Sequence, residues 1–275
     1  MTKSVTYCLN CNTTLHGKFC HACGQKILEP EERTLKHFIF QFFGSAFFLE
    51  NNFLKNIWTL FTKPGKLTID MIEGRRKRWM PPFSLFLLIN LFYFWYTPFS
   101  DFNQTLYEQT HFSPYRGFAN EMVINKLATK NISLEAYSEV YNKKSAVYAN
   151  SLIIFHIPIM AVFLFLLFYR NKYFYADNFL FALHLLGFIL LIALSVGLVL
   201  AIDRHLLSFL STGLLSGIKF FFGAAILIYT WKAISKVYKR KWWATSLYLP
   251  LTIGFFIFTH LLYRFFLFLI VYTVT

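Results

Sequence analysis

The chain has 275 residues, of which 56% are hydrophobic, 21% aromatic and 15% charged, with a mean hydropathy of +0.47. A soluble domain carries about 25% charged residues, so this composition excludes an ordinary soluble globular protein and indicates an integral membrane protein. The net charge of +14 would suit a nucleic-acid ligand, but the placement of the cations along the chain, set out below, assigns them to membrane topology instead.

All four cysteines lie in the first 23 residues, as Cys8-Leu9-Asn10-Cys11 and Cys20-His21-Ala22-Cys23-Gly24. Two C-x-x-C pairs separated by a short spacer can converge on one tetrahedral ion, so residues 1–28 read as a structural zinc ribbon with Cys8, Cys11, Cys20 and Cys23 as ligands. Gly24 suits the tight turn that brings backbone amides toward the sulfurs. Two disulfides are the alternative, which a reducing cytoplasm disfavours. His16 and His21 could substitute as ligands, but four thiolates already close the shell and leave no open position for catalysis. So short a ribbon builds no core of its own, and metal binding must supply its folding energy. No cleavable leader is expected, because the N-terminus is polar and cysteine-bearing.

Residues 29–80 read as a linker followed by interfacial amphipathic helices. A charged stretch at 29–33 precedes an apolar segment at 35–49, too short and too interrupted to span, which is expected to lie in the interface. From 51 to 62, Phe53, Leu54, Ile57, Trp58, Leu60 and Phe61 share one helical face, and Asn52, Lys55, Asn56 and Thr59 the other. Lys63-Pro64-Gly65 stops that helix. A short helix at 67–73 ends at Gly74, the cluster Arg75-Arg76-Lys77-Arg78 follows, and Pro81-Pro82 leads into the bilayer. A basic run in that place anchors the chain on anionic lipid headgroups.

Residues 81–275 read as an all-α transmembrane domain. Five apolar stretches have spanning length, near 83–99, 149–169, 179–202, 214–234 and 247–272. The first two are joined by an external polar loop at 100–148 with two short helices. With the N-terminus inside, nineteen Lys and Arg lie on the cytoplasmic side: twelve before residue 81, Arg170 and Lys172, and five from Lys232 to Lys241. Six lie outside: Arg116, Lys126, Lys130, Lys143, Lys144 and Arg204. This asymmetry puts the N-terminus in the cytoplasm and, after an odd number of spans, the C-terminus outside. It also explains the basic excess without nucleic acid.

Ionisable groups within spans are the remaining candidates for chemistry. Span three carries Asp177, His184 and Ser195, span five His260 and Arg264, span two His156 and span one Asn90. Asp177, His184, His260 and Arg264 could line an intramembrane polar path. The bland alternative is interhelical hydrogen bonding. Helical rise separates the three histidines in depth, which weakens a shared ion site. No H-x-x-H-H, G-x-S-x-G, H-E-x-x-H or P-loop pattern occurs. Ala193, Gly197 and Ala201, and more weakly Gly213 and Gly217, have the spacing of close helix packing, within the bundle or at a homo-oligomer seam.

The ribbon with Gly17-Lys18-Phe19-Cys20, the stretch Asn51-Asn52-Phe53-Leu54 through Trp58-Thr59-Leu60, Lys63-Pro64-Gly65, Gly74-Arg75-Arg76-Lys77-Arg78, Pro81-Pro82 and Phe181-Ala182-Leu183-His184 together resemble a bacterial membrane family known as domain of unknown function 3667. The resemblance implies a bacterial inner-membrane location and implies no activity. Three functions remain open on the residues. A binding or adaptor role would use the ribbon to meet a cytosolic protein, in membrane biogenesis, secretion or signalling. Transport or lipid handling would use the polar path. An enzymatic role would rest on the same intramembrane groups with less support.

Overall fold

The structure is a computed structural model that describes residues 7–26, 53–96, 102–169, 173–203 and 212–275. The charged linker at 29–33, the helix expected at 35–49 and the cations Arg170, Lys172 and Arg204 lie outside the described residues. Apart from two isolated bridges in the ribbon, Tyr7 with Thr14 and Phe19 with Lys26, the described elements are helical.

Helix α1 (Phe53–Thr62) and helix α2 (Lys66–Ile72) form a tight hairpin. The apolar and polar faces of α1 are both present, but their use is inverted relative to a helix covering a soluble core. Asn56, Thr59 and Leu60 are buried, while Leu54 and Trp58 are 78% and 67% exposed. Where lipid is the solvent an apolar side chain loses little by facing outward, whereas Asn56 gains a partner inside. Its Oδ1 accepts a hydrogen bond from the Met80 backbone amide at 3.2 Å.

The hairpin turn depends on Gly65. Its φ is +75°, and a Cβ there would meet Val237 Cγ2 at 3.0 Å and the Ala233 carbonyl oxygen at 3.3 Å. A left-handed conformation costs a non-glycine residue about 1–2 kcal/mol, and crowding a packed contact adds about 1–3 kcal/mol. Gly65→Ala should therefore lower the melting temperature of the detergent-solubilised protein by several degrees. Gly223→Ala, where the new methyl meets nothing within 4 Å, should leave it unchanged. Equal melting of the two variants would refute this account of the turn.

Helix α3 (Pro82–Tyr96) begins the bundle. Its 15 described residues cover about 22 Å, at 1.5 Å per residue, of the roughly 30 Å hydrocarbon core. Four further helical segments are long and apolar enough to cross: residues 134–167, helix α8 (Tyr175–Ile202), helix α9 (Thr212–Val237) and helix α10 (Trp242–Val274). Of the five expected spans, four thus have spanning length among the described residues.

The expected external loop is more ordered than its polar composition indicates. It contains helix α4 (Leu106–His111), helix α5 (Arg116–Lys130) and the start of helix α6 (Leu134–Leu152). The helix that leads into the second span therefore begins well before residue 149, as a polar extension of it. Ser133 caps α6 by accepting from the Ala136 amide. Tyr137, Tyr141, Ser145 and Ala149, at four-residue intervals, form the buried stripe that lets a polar helix pack. A 3-10 turn (Ile153–Phe155) joins α6 to helix α7 (His156–Leu167), accommodating Pro158 just inside α7. Three lysines of the cap meet the free carbonyls at the end of α10: Lys126 donates to Tyr272 O, Lys144 to Val274 O and Lys130 to Thr275 O.

Helix α8 is the axis of the bundle. Apart from Asp177, every residue from Ala176 to Ile192 is buried, as expected of a helix that is apolar on all sides. It packs mainly against α3 and α7, and also receives α1, α2 and α9. Phe188 stacks on Tyr229 of α9 at 3.5 Å between ring centroids, and Gly187 lets Ile89 and Leu60 close on it. The first half of α9 is largely exposed, and a Cβ at Gly217 would meet nothing within 4 Å. Among the described residues, Gly217 therefore makes no close helix contact.

Candidate metal centre

The ribbon consists of two knuckles of the same design. In the first, the Asn12 amide donates to the Cys8 carbonyl and the Cys8 amide to the Thr13 carbonyl. In the second, Gly24 donates to Cys20 and Cys20 to Gln25. Asn12 and Gly24 sit at matching positions with φ of +63° and +69°. Glycine takes this left-handed turn freely, and asparagine is among the few other residues that tolerate it.

The repeat aims four sulfurs at one point. Their Sγ atoms all lie within 4.8 Å of one another, with Cys8–Cys23 at 3.6 Å and Cys11–Cys20 at 3.5 Å. A tetrahedral ion with metal–sulfur bonds of about 2.3 Å would separate its sulfurs by about 3.8 Å. All four cysteines are free thiols, with Cys8 and Cys20 buried. The donor set therefore fits a metal ion held by four thiolates. Burial pushes the Cys8 thiol up to about 11, while the Thr13 hydroxyl and amide beside Cys11 draw it down to about 6.

The ribbon is clasped to the chain just ahead of α3. Gln25 Nε2 donates to the Gly74 carbonyl at 2.6 Å, and Gln25 Oε1 accepts from the Arg76 and Lys77 amides at 3.2 Å each. Arg78 reaches the other knuckle, donating to the Asn10 side chain at 3.3 Å and to the Asn10 carbonyl at 2.6 Å. Gly74 has φ +84°, and a Cβ there would stand 2.8 Å from Leu9 Cδ1. The left-handed φ favours glycine here, whereas the exposed Leu9 side chain could swing aside from a methyl.

Behind this loop lies Asp70, which the sequence reading passed over. Its side chain is fully buried and accepts from Lys66 Nζ at 2.9 Å, from Arg75 Nε at 2.7 Å and from Trp79 Nε1 at 2.9 Å. Burial acts to raise its pKa, but the hydrogen bonds from Lys66, Arg75 and Trp79 outweigh it and hold the carboxyl below its usual range. A single acid in a short apolar helix, five residues ahead of a basic run, is the signal that could have marked it.

The basic cluster is accordingly wired into the protein. Arg75 pairs with Asp70 and Glu73, Arg76 Nε donates to the Met71 carbonyl, and Arg78 holds Asn10. The four intramembrane candidates have four different sets of neighbours. Asp177 accepts from the Phe174 amide at the start of α8, and His184 Nδ1 meets Thr68 Oγ1 of α2 at 2.9 Å. His260 lies edge-on to Phe102 at 4.7 Å between ring centroids, and Arg264 donates to Gln104 and Ser113. The pairing that does occur is between His260 and His156, with ring centroids 5.6 Å apart beside Tyr263. Depth estimated from straight helices of fixed rise separates those two residues. His156 directly follows the 3-10 turn, and the packing of α10 on α6 and α7 brings the two rings together.

Residues 50–94 match a family described as "Protein of unknown function (DUF3667)". The matched segment contains α1, α2, the Asp70 cluster, the Arg75–Arg78 loop and nearly all of α3. No curated protein and no solved structure gives a match.

Proposed function

We propose that the chain is a membrane-anchored binding module. It carries a structural zinc ribbon, held at the cytoplasmic face of a bacterial inner membrane, that docks a cytosolic protein in membrane biogenesis, secretion or signalling. The observation that carries this reading is the clasp. Both knuckles are stapled to the loop ahead of α3, which makes the ribbon a fixed platform rather than a trailing tail. Tyr7 and Phe19, each directly before the first cysteine of its knuckle, are 55% and 62% exposed. Paired aromatic side chains on a rigid mount are the kind of anchor that protein interfaces use. Four sulfurs with no other ligand type favour zinc among the common ions. The asymmetry of nineteen against six cations supports the cytoplasmic side for the ribbon.

Affinity capture from the native membrane tests the module. Phe19→Ala together with Tyr7→Ala should keep one zinc per chain yet lose most of the captured partner, since an anchor residue is worth about 2 kcal/mol or more. Undiminished capture by that variant would eliminate the adaptor reading. Transport along a polar path draws less support, because Asp177, His184, His260 and Arg264 each engage different neighbours.

A further inference from the structure

The residues that hold the 74–78 loop are those whose positions depend most directly on the metal. Leu9 and Asn10 are the two residues enclosed by Cys8 and Cys11, and Gln25 directly follows the Gly24 turn of the second knuckle. Gln25 makes three hydrogen bonds to backbone groups of Gly74, Arg76 and Lys77. Two more join Arg78 to Asn10. A unit of some 20 residues has too little core to keep this arrangement once its central ion is gone. On its far side the loop is tied independently, through Arg75 and Trp79 to Asp70.

We propose that the Cys8/Cys11/Cys20/Cys23 centre is the catch of a latch over the Gly74–Arg78 loop. With the ion bound, the ribbon pins the loop backbone at Gly74, Arg76 and Lys77 and the side chain of Arg78; with the ion lost, these are released while Arg75 stays on Asp70. Lys77 and Arg78 are exposed with the ribbon in place, so the proposal, which rests on the zinc-ribbon reading above, adds that the ribbon controls the mobility of the basic loop leading into the first helix of the bundle. The split anchoring makes the response local. The contacts on the ribbon side depend on the ion and those on the Asp70 side do not, so α2 and α3 keep their packing when the latch opens.

The test uses the full chain in phosphatidylcholine nanodiscs, loaded with zinc alone, stripped with a chelator, and reloaded. Amide hydrogen exchange is read at Arg76 and Lys77, trypsin cleavage after Lys77 and Arg78, and zinc per chain on the same samples. Stripping should speed exchange at these two amides by about tenfold or more, the behaviour of a local opening, with α8 unaffected, and reloading should restore protection. Gln25→Ala should show fast exchange at the same amides while still holding its zinc. Arg78→Ala, which removes both contacts to Asn10, should retain zinc and admit trypsin after Lys77, which guards against a Gln25 variant that fails to fold. Exchange that is identical in stripped and loaded protein, or unchanged in both variants, overturns the latch. A chain that takes up no zinc at all removes the ribbon reading and the latch with it, whereas zinc uptake with a permanently protected loop removes the latch alone.

Discussion

Asp70→Asn is expected to destabilise the protein by roughly 3 kcal/mol. That is the lower end of the cost of breaking a buried ion pair, because the side chains of Arg75 and Lys66 remain 29% and 42% exposed and can partly rehydrate. The amide keeps the shape of the carboxylate but turns its NH2 toward groups that are themselves donors: Lys66 Nζ, the Arg75 guanidinium and Trp79 Nε1. Thermal unfolding in detergent, followed by tryptophan fluorescence, should show a lower midpoint and a shifted Trp79 signal. The pH dependence provides a second check. The carboxyl is held below its ordinary value of 3.8 in the folded state, so its contribution is complete above that value. It disappears as pH falls through the lower folded value. The wild-type advantage over Asp70→Asn should therefore be constant at neutral pH and shrink only in strong acid. An advantage that fades between pH 6 and pH 8 would point to some other group.

Replacing Cys8 and Cys20 by Ser should abolish metal binding and unfold the ribbon while the bundle stays helical. These are the two buried sulfurs, one from each knuckle, at 3% and 2% exposure. A hydroxyl at either place is a poor ligand for an ion that four thiolates hold. Metal binding contributes about 10–16 kcal/mol to comparable small sites, far more than the hydrogen bonds of Gln25 and Asn10 to the loop can replace. Elemental analysis should fall from one metal per chain to none, with far-UV circular dichroism nearly unchanged. The spanning helices satisfy their own backbone hydrogen bonds and owe nothing to the ribbon. Metal retained by this variant would mean that the cluster is not the binding site.

Two features were legible in the sequence because each rests on a local pattern. Four cysteines in two C-x-x-C pairs specify a tetrathiolate cluster whatever lies around them, and the knuckle turns need only Asn12 and Gly24 at the right offsets. Long apolar runs specify membrane helices because lipid leaves the backbone few other choices. The α1 segment illustrates the limit. Its two faces were readable at 3.6-residue spacing, but which of them would be covered was not. That depended on α8 and the Met80 amide, which come from distant parts of the chain and reward Asn56 for turning inward.

The same reason separates the two classes of candidate residue. The cysteines were found because ligand and partner lie within 16 residues of one another. Asp70, Thr68, Asn10 and Gln25 were missed because each derives its role from a contact made only after folding: Thr68 with His184, Gln25 with the Gly74–Lys77 backbone, and Asp70 with Trp79 under the ribbon. Likewise His156 and His260 sit on helices whose relative height is set by a 3-10 turn and by the packing of α10 on α6 and α7, not by residue count. By itself the sequence determined the cysteine cluster, the membrane class and the approximate helices, because short-range stereochemistry and solvent preference suffice for those. Tertiary structure alone decided which polar groups meet and that the ribbon clasps the chain ahead of α3, because pairing across the bundle depends on how whole helices stack.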